Sequence, residues 1–188
     1  MRAFLALTLP DDIRRSLNVL QQELAQSGAD IKWVEPQNLH VTLKFLGEIT
    51  DEQRRGVEQL LGEAARNEAA FTLGLDRAGA FPSLSSPRVV WVGLGEGKER
   101  AVRIAERIEE RCGLLGLPKE DRPFAAHVTL GRVRTTRRQA ELARALRECA
   151  WRAPAPWTIT TLTLYQSVLG SGGPAYTVLA DAPLTGTR

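Results

Sequence analysis

His40-Val41-Thr42-Leu43 and His127-Val128-Thr129-Leu130 are the same tetrapeptide, and they contain both histidines of a 188-residue chain. Pro36 and Pro123 each stand four residues before their histidine, so the likeness extends upstream. Both copies lie in β-rich segments, where side chains alternate faces. His40 and Thr42 therefore point one way, and Val41 and Leu43 the other. The same holds for His127 and Thr129 against Val128 and Leu130. By this alternation Lys44 continues the polar face of the first copy, and Gly131 leaves room for a ligand in the second. A repeat on this scale suggests two similar halves that face each other across a pseudo-twofold axis.

Around the motifs the pattern alternates between strand and helix. Residues 2–9 read as a strand, and Asp11 as the cap of a helix carrying Ile13, Leu17, Leu20 and Leu24. Residues 31–34 and 39–46 read as strands. Thr50-Asp51-Glu52-Gln53 is a capping box ahead of Val57, Leu60, Leu61 and Ala64. Segments 70–75 and 88–94 read as strands separated by the turn-rich residues 81–87. A helix follows with Val102, Ala105, Ile108, Cys112 and Leu115. Residues 125–133 read as a strand, and Thr136 with Gln139 as a second capping box before Ala143 and Leu146. The chain closes as a hairpin of 157–168 and 175–179 around Leu169-Gly170-Ser171-Gly172-Gly173. This order implies an α+β fold of two pseudo-twofold-related lobes, with largely antiparallel sheets facing a central cleft and helices outside. No linker separates domains, so residues 1–188 are expected to form one domain of two closely packed lobes.

Composition narrows the function classes. A 43% hydrophobic content is enough to bury a core and excludes a disordered chain. The apolar start, Met1 to Leu9, is too short to span a bilayer and runs into Pro10-Asp11-Asp12 without a small-residue cleavage site. Cys112 and Cys149 form no metal-type or redox-type pair, so a reduced, cytoplasmic setting is expected. Net charge is +3, but Gly131 to Arg188 alone carries +5, with eight Arg against three acids. Arg outnumbers Lys by 21 to 4, which has two readings: a GC-rich genome that favours Arg codons, or an anionic ligand that guanidinium groups recognise by paired hydrogen bonds.

Two imidazoles on one cleft can divide acid–base work at neutral pH, one taking a proton from a nucleophile and the other giving one to a leaving group. Threonine hydroxyls between them suit the oxygens of a phosphate. Two histidines are too few for a zinc site, and no His-Glu-x-x-His or cysteine cluster supplements them, so no metal is expected. Phe4 and Trp33 are candidates for stacking a base, with a core role as the alternative. Lys44, Arg132 and Arg134 are candidates for phosphate or RNA contacts. By strict alternation Arg132 points away from His127, and only a bulge or strand end brings it round.

At these motifs the chain resembles the two-histidine phosphoesterases, and specifically the RNA 2′,3′-cyclic phosphodiesterases, also called 2′-5′ RNA ligases. The resemblance runs from Arg2-Ala3-Phe4-Leu5-Ala6-Leu7 through Asn38 to Gly47, Pro87 to Leu94 and Phe124 to Arg132. It ends with Leu164-Tyr165-Gln166-Ser167 and Gly173-Pro174-Ala175-Tyr176. Ala126 departs from the Pro that the family often has before its second histidine. The resemblance implies His40 as proton donor, His127 as proton acceptor, and Thr42 and Thr129 as phosphate ligands. It implies hydrolysis of RNA 2′,3′-cyclic phosphate ends to 2′-phosphomonoesters without metal or other cofactor, with reversible 2′-5′ ligation by the same groups. A monomer with an RNA partner and no membrane association is expected. The alternatives are a phosphodiesterase for 2′-5′ oligoadenylates or small cyclic nucleotides, and a non-catalytic RNA-binding module.

Overall fold

The structure is a computed structural model that describes residues 1–170 and 173–187. Ser171 and Gly172 of the closing loop lie outside the described residues. Four helices and ten strands follow in the order β1 (Arg2–Thr8), α1 (Asp11–Ala25), β2 (Ile31–Trp33), β3 (His40–Glu48), α2 (Asp51–Arg66), β4 (Phe71–Leu73) and β5 (Leu75–Ser83). They continue with β6 (Ser86–Leu94), α3 (Lys98–Leu114), β7 (His127–Val133), α4 (Gln139–Glu148), β8 (Trp157–Ile159), β9 (Thr161–Gly170) and β10 (Gly173–Pro183). No helix among the described residues is long and apolar enough to cross a membrane.

The large sheet runs β10-β9-β1-β3-β7-β6-β5, antiparallel throughout, with β2 also paired to β7. The unit β1-α1-β3-α2 recurs as β6-α3-β7-α4, which is the expected internal repeat. The two halves meet between the motif strands, where Val41 opposite Val128 is the one Cα pair in register. Beyond that pair, β2 takes over the edge of β7, covering Gly131 to Val133. The strands therefore part after one rung and leave a cleft between the halves. Helices cover the other face. Ile13, Leu17, Leu20 and Leu24 of α1, and Ile104 and Ile108 of α3, are almost fully buried against Leu5, Val41, Val92 and Val128. Each such aliphatic side chain contributes about 1.5–3 kcal/mol on burial.

The caps divide. Thr50 and Gln53 form the expected capping box, with Thr50 Oγ1 accepting from Gln53 N at 3.1 Å and Gln53 Oε1 from Thr50 N at 3.0 Å. The expected second box is not formed. Arg138 occupies the cap of α4 at φ +55°, so Gln139 is the first helical residue and not the third, and its side-chain amide donates to the Pro87 carbonyl. Asp11 lies in the first turn of α1, after Pro10, and makes no side-chain cap. Strand β5 extends well into the segment expected to be a turn. Its two small faces hid it: Gly79 sits where a Cβ would strike the Trp91 ring, so this strand lacks the apolar alternation that marks its neighbours.

Two bulges correct the expected faces. In the β1–β3 pair, Ala6 faces Thr42 and Leu5 faces Lys44, so one residue of β3 is extra. In the β6–β7 pair, Trp91 faces Thr129 and Val90 faces Gly131, so Leu130 is extra. Each bulge puts two successive residues on the helix side and reverses the alternation after it. Lys44 is thereby turned away from the polar face. It is 2% exposed, and its Nζ donates to Glu109 Oε2 of α3 at 2.7 Å and to the Pro118 carbonyl at 3.0 Å. Lys44 is thus an internal tie between sheet and helix, not an RNA contact. Gly131 also faces inward, and the space it leaves is filled by protein. A Cβ there would stand 2.7 Å from Ile31 Cγ2 and 2.9 Å from Trp33 Cε3. Gly131→Ala should therefore push β2 off β7 and cost about 1–3 kcal/mol of stability, as overpacking does. Thermal unfolding checks this, and an unchanged Tm would mean that β2 yields freely.

Candidate active site

The single rung Val41–Val128 sets the site. In an antiparallel ladder its neighbours on the opposite face are His40 beside Thr129 and Thr42 beside His127. With about 3.4 Å of rise per residue and about 5 Å between strands, the histidine Cα atoms lie on the order of 8 Å apart on the diagonal. Their coupling is visible in charge terms, because a proton on His127 disfavours one on His40.

Each imidazole is held from its own stretch of chain, by a carbonyl just ahead of the strand and a hydroxyl within it. His40 Nδ1–H donates to the Asn38 carbonyl at 2.7 Å, and Thr42 Oγ1 lies 2.9 Å from Nε2. His127 Nδ1–H donates to the Ala125 carbonyl at 2.6 Å, and Thr129 Oγ1 lies 3.2 Å from Nε2. A carbonyl only accepts, so Nδ1 carries the proton in both rings and Nε2 presents a lone pair toward the hydroxyl. Asn38 is itself fixed, since its Nδ2 donates to the Pro174 carbonyl of β10 at 2.8 Å.

Aromatic rings back both histidines. Phe4 stacks on His40 at 4.7 Å between centroids, with Tyr165 at 5.2 Å and the edge of Tyr176 at 4.8 Å. Tyr176 also meets His40 edge-on at 5.5 Å. Phe81 meets His127 edge-on at 5.1 Å and packs on Trp91 at 4.9 Å. Burial among these rings lowers the pKa of both imidazoles below 6.5, because it penalises the cation. The charge of Arg14 lowers His40 further, and that of Arg132 lowers His127, while the carbonyl bonds oppose the shift. The free site thus holds two neutral rings at pH 7, not one of each kind.

Other candidates fall into place around this centre. Phe4 is 2% exposed and has its faces covered, so it supports His40 and cannot stack a base. Trp33 is partly buried over Gly131 on the helix side of β2, opposite to the cleft, and is a packing residue. Arg132 is brought round by the bulge. β6 alternates regularly through Val89 and Trp91, so their partners Arg132 and Thr129 share the cleft face. Its charge acts on His127 and on Tyr176 of the other half. Arg134 is exposed two residues further on, where its N–H bonds the Asp30 carbonyl at 2.8 Å. Strict alternation missed Phe45, which the first bulge turns into the cleft opposite Phe4, 55% exposed. It also missed the backing pair Phe81 and Trp91 and the support from Asn38. The signal for Phe45 was present in the motif, since it occupies the same place after His40 that Arg132 occupies after His127.

Neither thiol joins the site. Burial pushes Cys112 up to about 11, leaving it protonated under the sheet. Among the described residues no three His, Cys, Asp or Glu side chains gather as metal ligands would.

Comparison with known proteins agrees with this geometry. The family profile described as LigT like Phosphoesterase matches twice, over residues 7–91 and 92–176. An RNA 2′,3′-cyclic phosphodiesterase of Archaeoglobus fulgidus is 36% identical over 94% of this chain and 96% of its own. A solved structure from Thermus thermophilus covers 100% of both chains with a TM-score of 0.83 at 31% identity. The Escherichia coli LigT structure complexed with 3′-AMP covers 98% of each chain, with a TM-score of 0.79 at 30% identity. With a twice-matched profile, full-length relatives and one His-carbonyl-Thr unit in each half, this chain belongs to the LigT-like phosphoesterase family.

Proposed function

We propose that this protein hydrolyses RNA 2′,3′-cyclic phosphate ends to 2′-phosphomonoesters, with His127 as general base and His40 as general acid. The observation that carries this reading is the matched pair of ring orientations. Both imidazoles spend Nδ1 on a carbonyl and aim Nε2 at a threonine hydroxyl, from adjacent strands on one face of the sheet. The activity named for the full-length relatives supports the substrate. Both histidines come from one chain, so a monomer is a complete unit. A cytoplasmic setting fits two free cysteines.

The chemistry follows from the atoms. Water on the His127 side gives its proton to the Nε2 lone pair and attacks phosphorus in line with the departing 3′ oxygen. That oxygen takes the proton from His40 Nε2, and the phosphate stays on the 2′ oxygen. A protonated Nε2 no longer accepts from Thr42, so the hydroxyl turns to a phosphoryl oxygen. Thr129 is released in the same way when water takes its place on His127. The ribose therefore sits on the His40 side, where Phe45 offers an open ring face to the base.

Incubation of an RNA ending in a 2′,3′-cyclic phosphate, with EDTA present, should yield the 2′-phosphate. RNA that stays bound and unchanged would favour the binding module. His40→Ala and His127→Ala should each lower kcat/KM by about 10²–10⁴, the usual loss of a general acid or base. Wild-type turnover in either variant removes that histidine from the mechanism.

The pH dependence has a definite sign. Activity needs His40 protonated and His127 neutral, and both groups titrate below 6.5 in the free enzyme. The profile of kcat/KM should accordingly peak below pH 6.5 and decline through neutrality as His40 loses its proton. A bound phosphate anion raises His40, so the alkaline limb of kcat should lie at higher pH than that of kcat/KM. A kcat/KM optimum above pH 7.5 would contradict these assignments.

A further inference from the structure

The two halves share a backbone plan but not a lining. At matching bulges the first half presents Phe45 and the second Arg132. Arg132 is not alone. Lys32 of β2 is its direct cross-strand partner, and partners in an antiparallel pair share a face. Ile31 and Trp33, its neighbours in β2, pack inward over Gly131, which leaves Lys32 outward with Arg132. Arg134 follows on the same face, about 6.8 Å along the strand, while Val133 between them packs on the core. All three cations are exposed, and among the described residues none has an ion-pair partner.

Arg132, whose charge bears on the His127 ring, heads this row, which runs from there out of the cleft along β7 and β2. We propose that Arg132, Lys32 and Arg134 form a track for the phosphates of an RNA strand that approaches phosphorus from the attacking side. The proposal rests on the assignment of His127 as base. Water occupies the attacking position during hydrolysis, and a strand with a free 5′-hydroxyl occupies it when that hydroxyl replaces water. The 5′ oxygen then bonds to phosphorus as the P–O3′ bond breaks. Its proton passes to His127 Nε2, and the 3′ oxygen takes the proton of His40 Nε2. A 2′-5′ diester and a free 3′-hydroxyl result. In the reverse direction the same strand departs as the 5′-hydroxyl product. Its next phosphates run out over the cations, whereas the nucleoside carrying the cyclic phosphate rests on the aromatic side.

The test compares extension on the two sides of the reacting phosphate. The wild-type enzyme is given a mononucleoside 2′,3′-cyclic phosphate, a pentanucleotide ending in a 2′,3′-cyclic phosphate, a 2′-5′-linked dinucleotide, and the same linkage extended by four nucleotides downstream. Downstream extension should raise kcat/KM for cleavage by about tenfold or more at low salt. Lys32→Ala/Arg134→Ala should abolish most of that gain and flatten the log–log salt slope by about 1.4, or about 0.7 per lost phosphate contact on a single strand. Lys32→Arg/Arg134→Lys should restore both. The track is overturned if downstream extension brings no gain, or if the double substitution weakens the cyclic-phosphate pentanucleotide instead. Failure to hydrolyse the mononucleoside cyclic phosphate at all would instead withdraw the catalytic reading, and the track with it.

Discussion

One rung of backbone pairing, Val41 against Val128, governs what this protein can do. It is the register at that point which sets His40 beside Thr129 and Thr42 beside His127. A slip of one residue would send one histidine to the helix face and break the site. The register is held from below, because Val41 and Val128 are fully buried among the helices. The hydrophobic core thus positions the catalytic groups as directly as it stabilises the fold. The cleft exists for the complementary reason that the strands part after this rung, with β2 taking the remaining edge of β7.

The four motif side chains were legible in the sequence because period-two alternation holds from His40 to Leu43 and from His127 to Leu130. Alternation failed one residue later in both copies, where each strand bulges. Nothing in Leu43-Lys44 or Leu130-Gly131 declares a bulge locally, since its cause lies across the ladder in β1 and β6. Lys44 looked like a cleft residue for that reason, although its ammonium pairs with Glu109, sixty-five positions away in sequence. Phe4 and Trp33 were ambiguous as aromatic residues always are on an unplaced strand; their packing partners decide their roles. The capping box at Thr50 was legible because all its atoms are local. The spacing of Thr136 and Gln139 misled because α4 begins two residues later than that box requires, with Arg138 at the cap and Gln139 as the first helical residue.

The pseudo-twofold axis relates backbones, and the reaction is directional, so the asymmetry must come from side chains. Phe4, Phe45, Tyr165 and Tyr176 gather on the His40 side, whereas cations gather beyond His127. The aromatic packing also explains why both imidazoles are poor cations when the cleft is empty. A phosphate anion supplies the missing counter-charge, so ligand and catalytic proton favour each other's presence.

Each imidazole is oriented by a carbonyl two residues upstream and faces a hydroxyl two residues downstream. A five-residue segment, from two residues ahead of the histidine that opens the strand to two beyond it, therefore carries its own tautomer control, a task that elsewhere falls to a carboxylate donated by a remote loop. Such a unit is self-sufficient, and duplicating it doubles the chemistry without requiring new partners. The halves are thereby free to diverge everywhere outside these short segments, each keeping one working proton carrier while the surroundings specialise.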